Sequence, residues 1–302
     1  MTMPPPAAPG VPFAGVDTPA LVIDLDAFER NLERMAAFAQ QHGVRVRPHA
    51  KTHKSPLIAH KQMALGAVGV CCQKVSEAEV MIQGGVSDVL ITNEIAGPRK
   101  LERLARLAHE AHIAVCTDNL DNVRGIEAAA ANAGVRLDVL VEIDCGGRRC
   151  GAVPGRPAAE IASAIAASAH LSFAGLQAYY GTAQHFRTDA ERRAAIASAG
   201  ERVQETLAEL KKQGLTCRTV GGAGTGTFEL EAASGLWNEL QPGSYIFMDA
   251  DYARNQNADG TRFDTFEHAL FVLATVMSTP VPERAVIDAG HKALSNDAGF
   301  RS

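Results

Sequence analysis

A chain of 302 residues is long enough for one large domain, or for a barrel with a smaller companion. Its 46% hydrophobic content excludes a disordered chain, and a net charge of −5 offers no general attraction for nucleic acid or anionic lipid. No apolar run nears the roughly 20 residues that a membrane span needs, and with 5% aromatic content the core must come from Ala, Val, Leu and Ile.

Residues 1–12, rich in Pro and Ala, lack the basic start and apolar centre of a signal peptide and read as a disordered extension. Residues 21–24 form a short β-type run. Eight strand candidates then follow, at 44–49, 68–73, 88–92, 113–117, 137–144, 172–179, 218–220 and 239–243. Several are continuous apolar or β-branched runs, as expected of strands covered on both faces. Stretches between them, such as 99–109 and 190–213, carry helical apolar spacing. Gly43, Gly66, Gly134 and Gly214 follow helical runs, where a left-handed cap is expected.

Eight strands alternating with helices predict an α/β fold, a (β/α)8 TIM-type barrel, with an open doubly wound sheet as the rival. Residues 269–277 and 285–288 are β-rich with no helix between them, which predicts a separate antiparallel β domain joined by 21–24. The expected division is a barrel over 27–245 and a β domain from 13–26 with 246–302. The six cysteines, Cys71, Cys72, Cys116, Cys145, Cys150 and Cys217, lie mostly within apolar runs. Buried thiols in a reducing cytoplasm account for them.

Reactive groups of such a barrel belong at the C-terminal strand ends. RPHAKTHKS (47–55) places Lys51 between His49 and His53, with Lys54 close behind. Cationic neighbours and barrel walls lower a lysine pKa, as a Schiff-base lysine requires, although a bare Lys/His cluster reads more readily as a solvated loop. VGGAGTGT (220–227) lets backbone N–H groups approach a phosphate, but lacks the Gly-Lys-Ser/Thr ending of a nucleotide loop. EIDCGGRRCG (142–151) has no second Cys/His pair at zinc spacing, so Cys145 and Cys150 read as structural. QAYYGTAQH (177–185) offers Tyr179, Tyr180 and His185 to a ligand.

These four motifs, with GVCCQKVSEAE (69–79) and NELQPGSYIFMDADY (238–252), stand in the order found in the D-threonine aldolase and D-serine dehydratase family, and the wording is most similar to its 3-hydroxy-D-aspartate aldolase branch. The resemblance spans about residues 17–290. It implies the barrel of the alanine racemase N-terminal domain, with pyridoxal 5'-phosphate at its mouth. By that resemblance Lys51 carries the cofactor, Arg149 faces its ring, and Tyr179 lies near it. Gly222, Gly224 and Thr225 hold its phosphate with Tyr245 nearby, and Gln73 is a further contact. His185 is the base. Asp249 and Asp251 match a structural motif and are left outside the site.

The activity implied is retro-aldol cleavage of β-hydroxy D-amino acids to glycine and an aldehyde, by a cytoplasmic homodimer. Dehydration of D-serine type is the alternative. The family also implies a divalent metal (Mg, Mn or Zn) on a late His-x-Cys or His-x-Asp pair. The residues after 270 hold one histidine, His291, followed by Lys292 and Ala293, so no metal ligand is assigned. On this reading the β domain is truncated, and a cofactor-binding protein with little catalysis is a further alternative.

Overall fold

A computed structural model describes residues 5–290 and 292–293. Residues 1–4 of the expected extension, His291, and 294–302 of the expected β domain lie outside the described residues.

Strand β1 (Ala20–Ile23) leads into helix α1 (Leu25–His42), and the alternation then runs β2 (Arg45–Val46), α2 (Pro56–Ala64), β3 (Val70–Cys72), α3 (Val75–Gln83), β4 (Asp88–Glu94), α4 (Pro98–Leu107) and β5 (His112–Thr117). It continues through α5 (Leu120–Ala133), β6 (Leu137–Glu142), α6 (Arg156–Ala167), β7 (Leu171–Ala178), α7 (Asp189–Lys212), β8 (Thr219–Gly222), α8 (Phe228–Ser234) and β9 (Glu239–Leu240). Three strands follow: β10 (Leu270–Leu273), β11 (Val276–Val281) and β12 (Arg284–Ile287).

All eight barrel strand candidates form strands of one parallel sheet, ordered β2-β9-β8-β7-β6-β5-β4-β3. Its two ends meet: Val68 N–H donates to Val46 O, Cys71 N–H to Pro48 O, and His49 bridges Cys71 in parallel. The sheet is therefore a closed barrel rather than an open one. β2 and β9 are shorter than their expected spans because Pro48 and Pro242 have no N–H to continue a ladder. β8 runs two residues further than expected, into the glycines of its motif.

Helix boundaries follow local chemistry. Asp24 caps α1 by accepting the Ala27 N–H, and Gly43 ends it with φ 64°. Thr188 and Glu191 close a reciprocal capping box on α7. Gly66, Gly134 and Gly214 also take the positive φ expected after helical runs. The buried face of α1 carries Phe28, Leu32, Met35 and Ala39, one stripe at three- and four-residue spacing. Inside the barrel, small and medium side chains (Cys71, Leu90, Ala114, Cys116, Leu140 and Ala174) fill the lumen beneath the mouth.

Residues 21–23 join the C-terminal strands as expected, since β1 pairs antiparallel with β10 in register Ala20↔Leu273 to Ile23↔Leu270. β11 and β12 form a second antiparallel pair. Phe247, Met248, Phe263 and Phe266 belong to the barrel core, so the chain keeps packing on the barrel beyond residue 245. All six cysteines are free; Cys150 and Cys217 are half-buried rather than buried, since both sit in loops. No helix among the described residues is long and apolar enough to cross a membrane.

Candidate active site

Leaving β2, the chain turns through Ala50–Thr52 at the barrel mouth, and His49 shapes that turn. Its Nδ1 accepts the Lys51 N–H at 3.3 Å, so the ring proton sits on Nε2, 3.1 Å from Thr92 Oγ1. Burial, reinforced by Lys51 and Arg149, holds the His49 pKa well below that of an ordinary histidine. Lys51 opens to the cavity, yet the surrounding protein and then the Arg149 charge lower its pKa as well. A larger share of neutral amine results, which makes it a better nucleophile. His53, pushed down to about 4 by burial, and Lys54 do not line the cavity.

The facing wall is the loop after β8. A Cβ on Gly224 would lie 2.6 Å from Gln184 Oε1, so any side chain there would displace Gln184. Gln184 braces this loop from behind, accepting the Gly226 N–H at 3.0 Å and donating to Thr227 Oγ1 at 2.6 Å. The Thr225 hydroxyl is buried, lines the cavity and has no hydrogen-bond partner. Leaving such a group unpaired costs about 1–3 kcal/mol, a cost that a ligand acceptor would remove.

Two residues expected in the cradle are placed elsewhere. Gly222 sits behind the loop, where a Cβ would be 2.3 Å from Ala178 O, so its role is close packing of β8 on β7. Tyr245 is buried away from the mouth. Its hydroxyl accepts from Gln62 Nε2 at 3.0 Å beside a separate cavity between α1 and α2. The short 3-10 turn Ser244–Ile246 rotates successive side chains by about 120°. Ser244 lines the active cavity, and Tyr245 therefore turns outward.

Gln73, Arg149 and Tyr179 complete the cavity, over a floor where Gln177 and Gln241 exchange two side-chain hydrogen bonds of 2.8 and 3.0 Å. The Arg149 guanidinium stands 5.8 Å from the Tyr179 ring centre, and its Nη2 is 3.5 Å from Glu142 Oε1. Burial pushes Tyr179 up to about 12, so it stays a neutral phenol.

Arg149 and Tyr179 also wall an adjoining cavity lined by Glu142, Cys145, Cys150, Thr182 and His185. His185 belongs to this second cavity. Its Nδ1 lies 2.5 Å from Asp251 Oδ2, and its ring stacks at 5.3 Å on Tyr252, which lines the first. Burial alone would raise the Asp251 pKa, but hydrogen bonds from Arg187 and His185 outweigh it and hold the group below its ordinary value.

Asp251 is thus part of the site that sequence reading left aside; its only signal was a place in a motif 66 residues from His185. Thr92, Gln177, Gln241, Ser244 and Tyr252 were also missed, because ordinary polar residues near strand ends carry no motif of their own. Cys145 is pushed up to about 12 by burial, consistent with an inert thiol. Among the described residues no three His, Cys, Asp or Glu side chains gather to hold a metal ion.

Residues 23–251 match the family described as alanine racemase, N-terminal domain, and residues 269–302 match a serine dehydratase domain. The chain is 48% identical to a D-threonine aldolase of Arthrobacter sp, across 99% of this chain and 78% of that protein. It is also 48% identical to a 3-hydroxy-D-aspartate aldolase of Paracoccus denitrificans (strain Pd 1222), across 98% and 77%. The crystal structure of a D-threonine aldolase from Filomicrobium marinum superposes with a TM-score of 0.95 at 56% identity, over 99% of this chain and 79% of that one. Relatives described as dehydratases match at 26–32% identity.

Proposed function

The chain belongs to the alanine racemase N-terminal domain family, and from that premise we propose that it is a pyridoxal-phosphate-dependent lyase. The reaction is retro-aldol cleavage of β-hydroxy D-amino acids to glycine and an aldehyde. The observation that carries this reading is the meeting of Lys51, Arg149, Tyr179 and the unpaired Thr225 hydroxyl in one cavity at the barrel mouth.

The residues fit that cofactor. Lys51 supplies an amine with a lowered pKa for its aldehyde. Gly224 and Thr225 offer a bare backbone and a free hydroxyl for its phosphate. Arg149 would face the ring, and an arginine does not give up its proton near neutral pH, so it keeps the ring nitrogen unprotonated. When bound, pyridoxal phosphate supplies an electron sink for the charge left at Cα as the Cα–Cβ bond breaks.

The protein's own part is proton handling and placement. With Nδ1–H held by Asp251, His185 leaves Nε2 free to take the proton of the substrate β-hydroxyl. A proton from solvent then replaces the lost aldehyde at Cα to complete glycine, and His185 returns the proton it took to solvent. Tyr179, neutral and buried, walls the site on the Arg149 side. The assembly and compartment of this reading are a cytoplasmic homodimer, and light scattering on the purified protein tests the first.

Product analysis tests the reaction. With D-threonine, equal amounts of glycine and acetaldehyde are expected. Ammonia with 2-oxobutanoate in their place would assign the dehydratase reaction.

A further inference from the structure

Glu94 at the end of β4 and Glu142 at the end of β6 are acids that the reaction above does not use. Glu142 is 3% exposed, and its Oε2 and both oxygens of Glu94 are buried without a hydrogen-bond partner. Their strands are separated only by β5, and the two carboxyls face each other across it; two ionised carboxylates can only accept hydrogen bonds, so neither can satisfy the other. One proton between them turns one acid into a donor. It also removes the repulsion of two like charges in a dry wall.

The charges around them balance only on that count. Arg149, its Nη2 3.5 Å from Glu142 Oε1, is the cation that touches Glu142. Cys116 on β5, and Cys145 and Cys150 on the loop after β6, also face these acids, and burial raises all three thiol pKa values, so they stay neutral. Lys51 lies beyond Arg149 and is repelled by it.

We propose that Glu94 and Glu142 share a single proton and together act as the positioning element for Arg149. The one remaining negative charge holds the guanidinium at the cavity wall, against Tyr179. Burial and the neighbouring Glu94 carboxylate raise the Glu142 pKa, which agrees with a proton retained at neutral pH. The positioning role rests on the cofactor reading of Arg149; the shared proton does not.

Infrared spectra of the cofactor-free protein test the proton. At pH 7.5 the difference between wild type and Glu94→Gln should contain the carbonyl stretch of a protonated carboxylic acid, and raising the pH should abolish it. Glu142→Gln should lose the same band, because the proton needs both acids. Glu231, a separate buried carboxyl, cancels in the differences. Absence of the band from both differences overturns the shared proton.

The visible absorbance of the pyridoxal-phosphate-loaded protein tests the positioning. Glu142→Gln should shift the bound cofactor's band in the same direction as Arg149→Lys. Glu94→Gln, which leaves a lone carboxylate on Arg149, should keep the neutral-pH spectrum but flatten its response to rising pH. A wild-type response in Glu94→Gln, or an unshifted band in Glu142→Gln, overturns the positioning role. A wild type that binds no cofactor overturns the functional reading, and the infrared result still decides the proton.

Discussion

His185 Nδ1 lies 2.5 Å from Asp251 Oδ2, while Arg187 occupies the other oxygen of the same carboxylate. The carboxylate fixes which ring nitrogen carries the proton and how the ring is aimed. Asp251→Ala should therefore lower kcat for aldehyde release by ~10²-fold with little change in KM, and His185→Ala by at least as much. The double variant should be no slower than His185→Ala, because the two act as one unit. Steady-state kinetics decide this, and a fully active Asp251→Ala would remove His185 from the base role.

Thr225 and Gly224 face the cofactor phosphate on this account. Thr225→Val removes a donor to a charged group and should weaken pyridoxal-phosphate binding by roughly 10-fold or more. Gly224→Ala should weaken it further, since the new Cβ would stand 2.6 Å from Gln184 Oε1. A fluorescence titration with pyridoxal phosphate measures both. Unchanged affinity in both variants would place the phosphate elsewhere.

Stability should depend on His112, far from this chemistry. Its ring lies between Asp138 and Asp88, at 3.2 and 3.1 Å, and these partners raise its pKa to about 10. A histidine with a raised folded pKa stabilises the fold fully below its unfolded value of about 6.5, and that contribution disappears as pH climbs through the folded value. His112→Ala should thus lower the thermal midpoint clearly at pH 6 and far less at pH 10.5. The ring is half exposed, so solvent screening keeps the effect small. An equal loss at both pH values would show packing rather than charge.

The barrel was legible because several of its strands are short apolar runs ended by glycine, proline or a polar motif, and α1, α5 and α7 carry their own side-chain caps. That residues 21–24 join the C-terminal strands was an expectation from β-propensity; their pairing with β10, about 250 positions away, is read from the structure. What escaped was side-chain direction. Ser244 and Tyr245 are adjacent in sequence, and only the tight turn decides that the serine faces the cofactor cavity. Asp251 escaped for a related reason: its value lies in a contact across 66 residues, which no spacing rule records. Gly222 and Gly224 belong to one motif, yet the first packs against Ala178 O and the second lines the cavity.

The central claim is that Lys51 holds pyridoxal phosphate at the barrel mouth, and the visible absorption spectrum tests it most directly. Wild-type protein mixed with pyridoxal phosphate should turn yellow, with a band that shifts on adding D-threonine, and Lys51→Ala should show neither that band nor turnover. A Lys51→Ala protein with the wild-type band and the wild-type response to D-threonine would contradict the account.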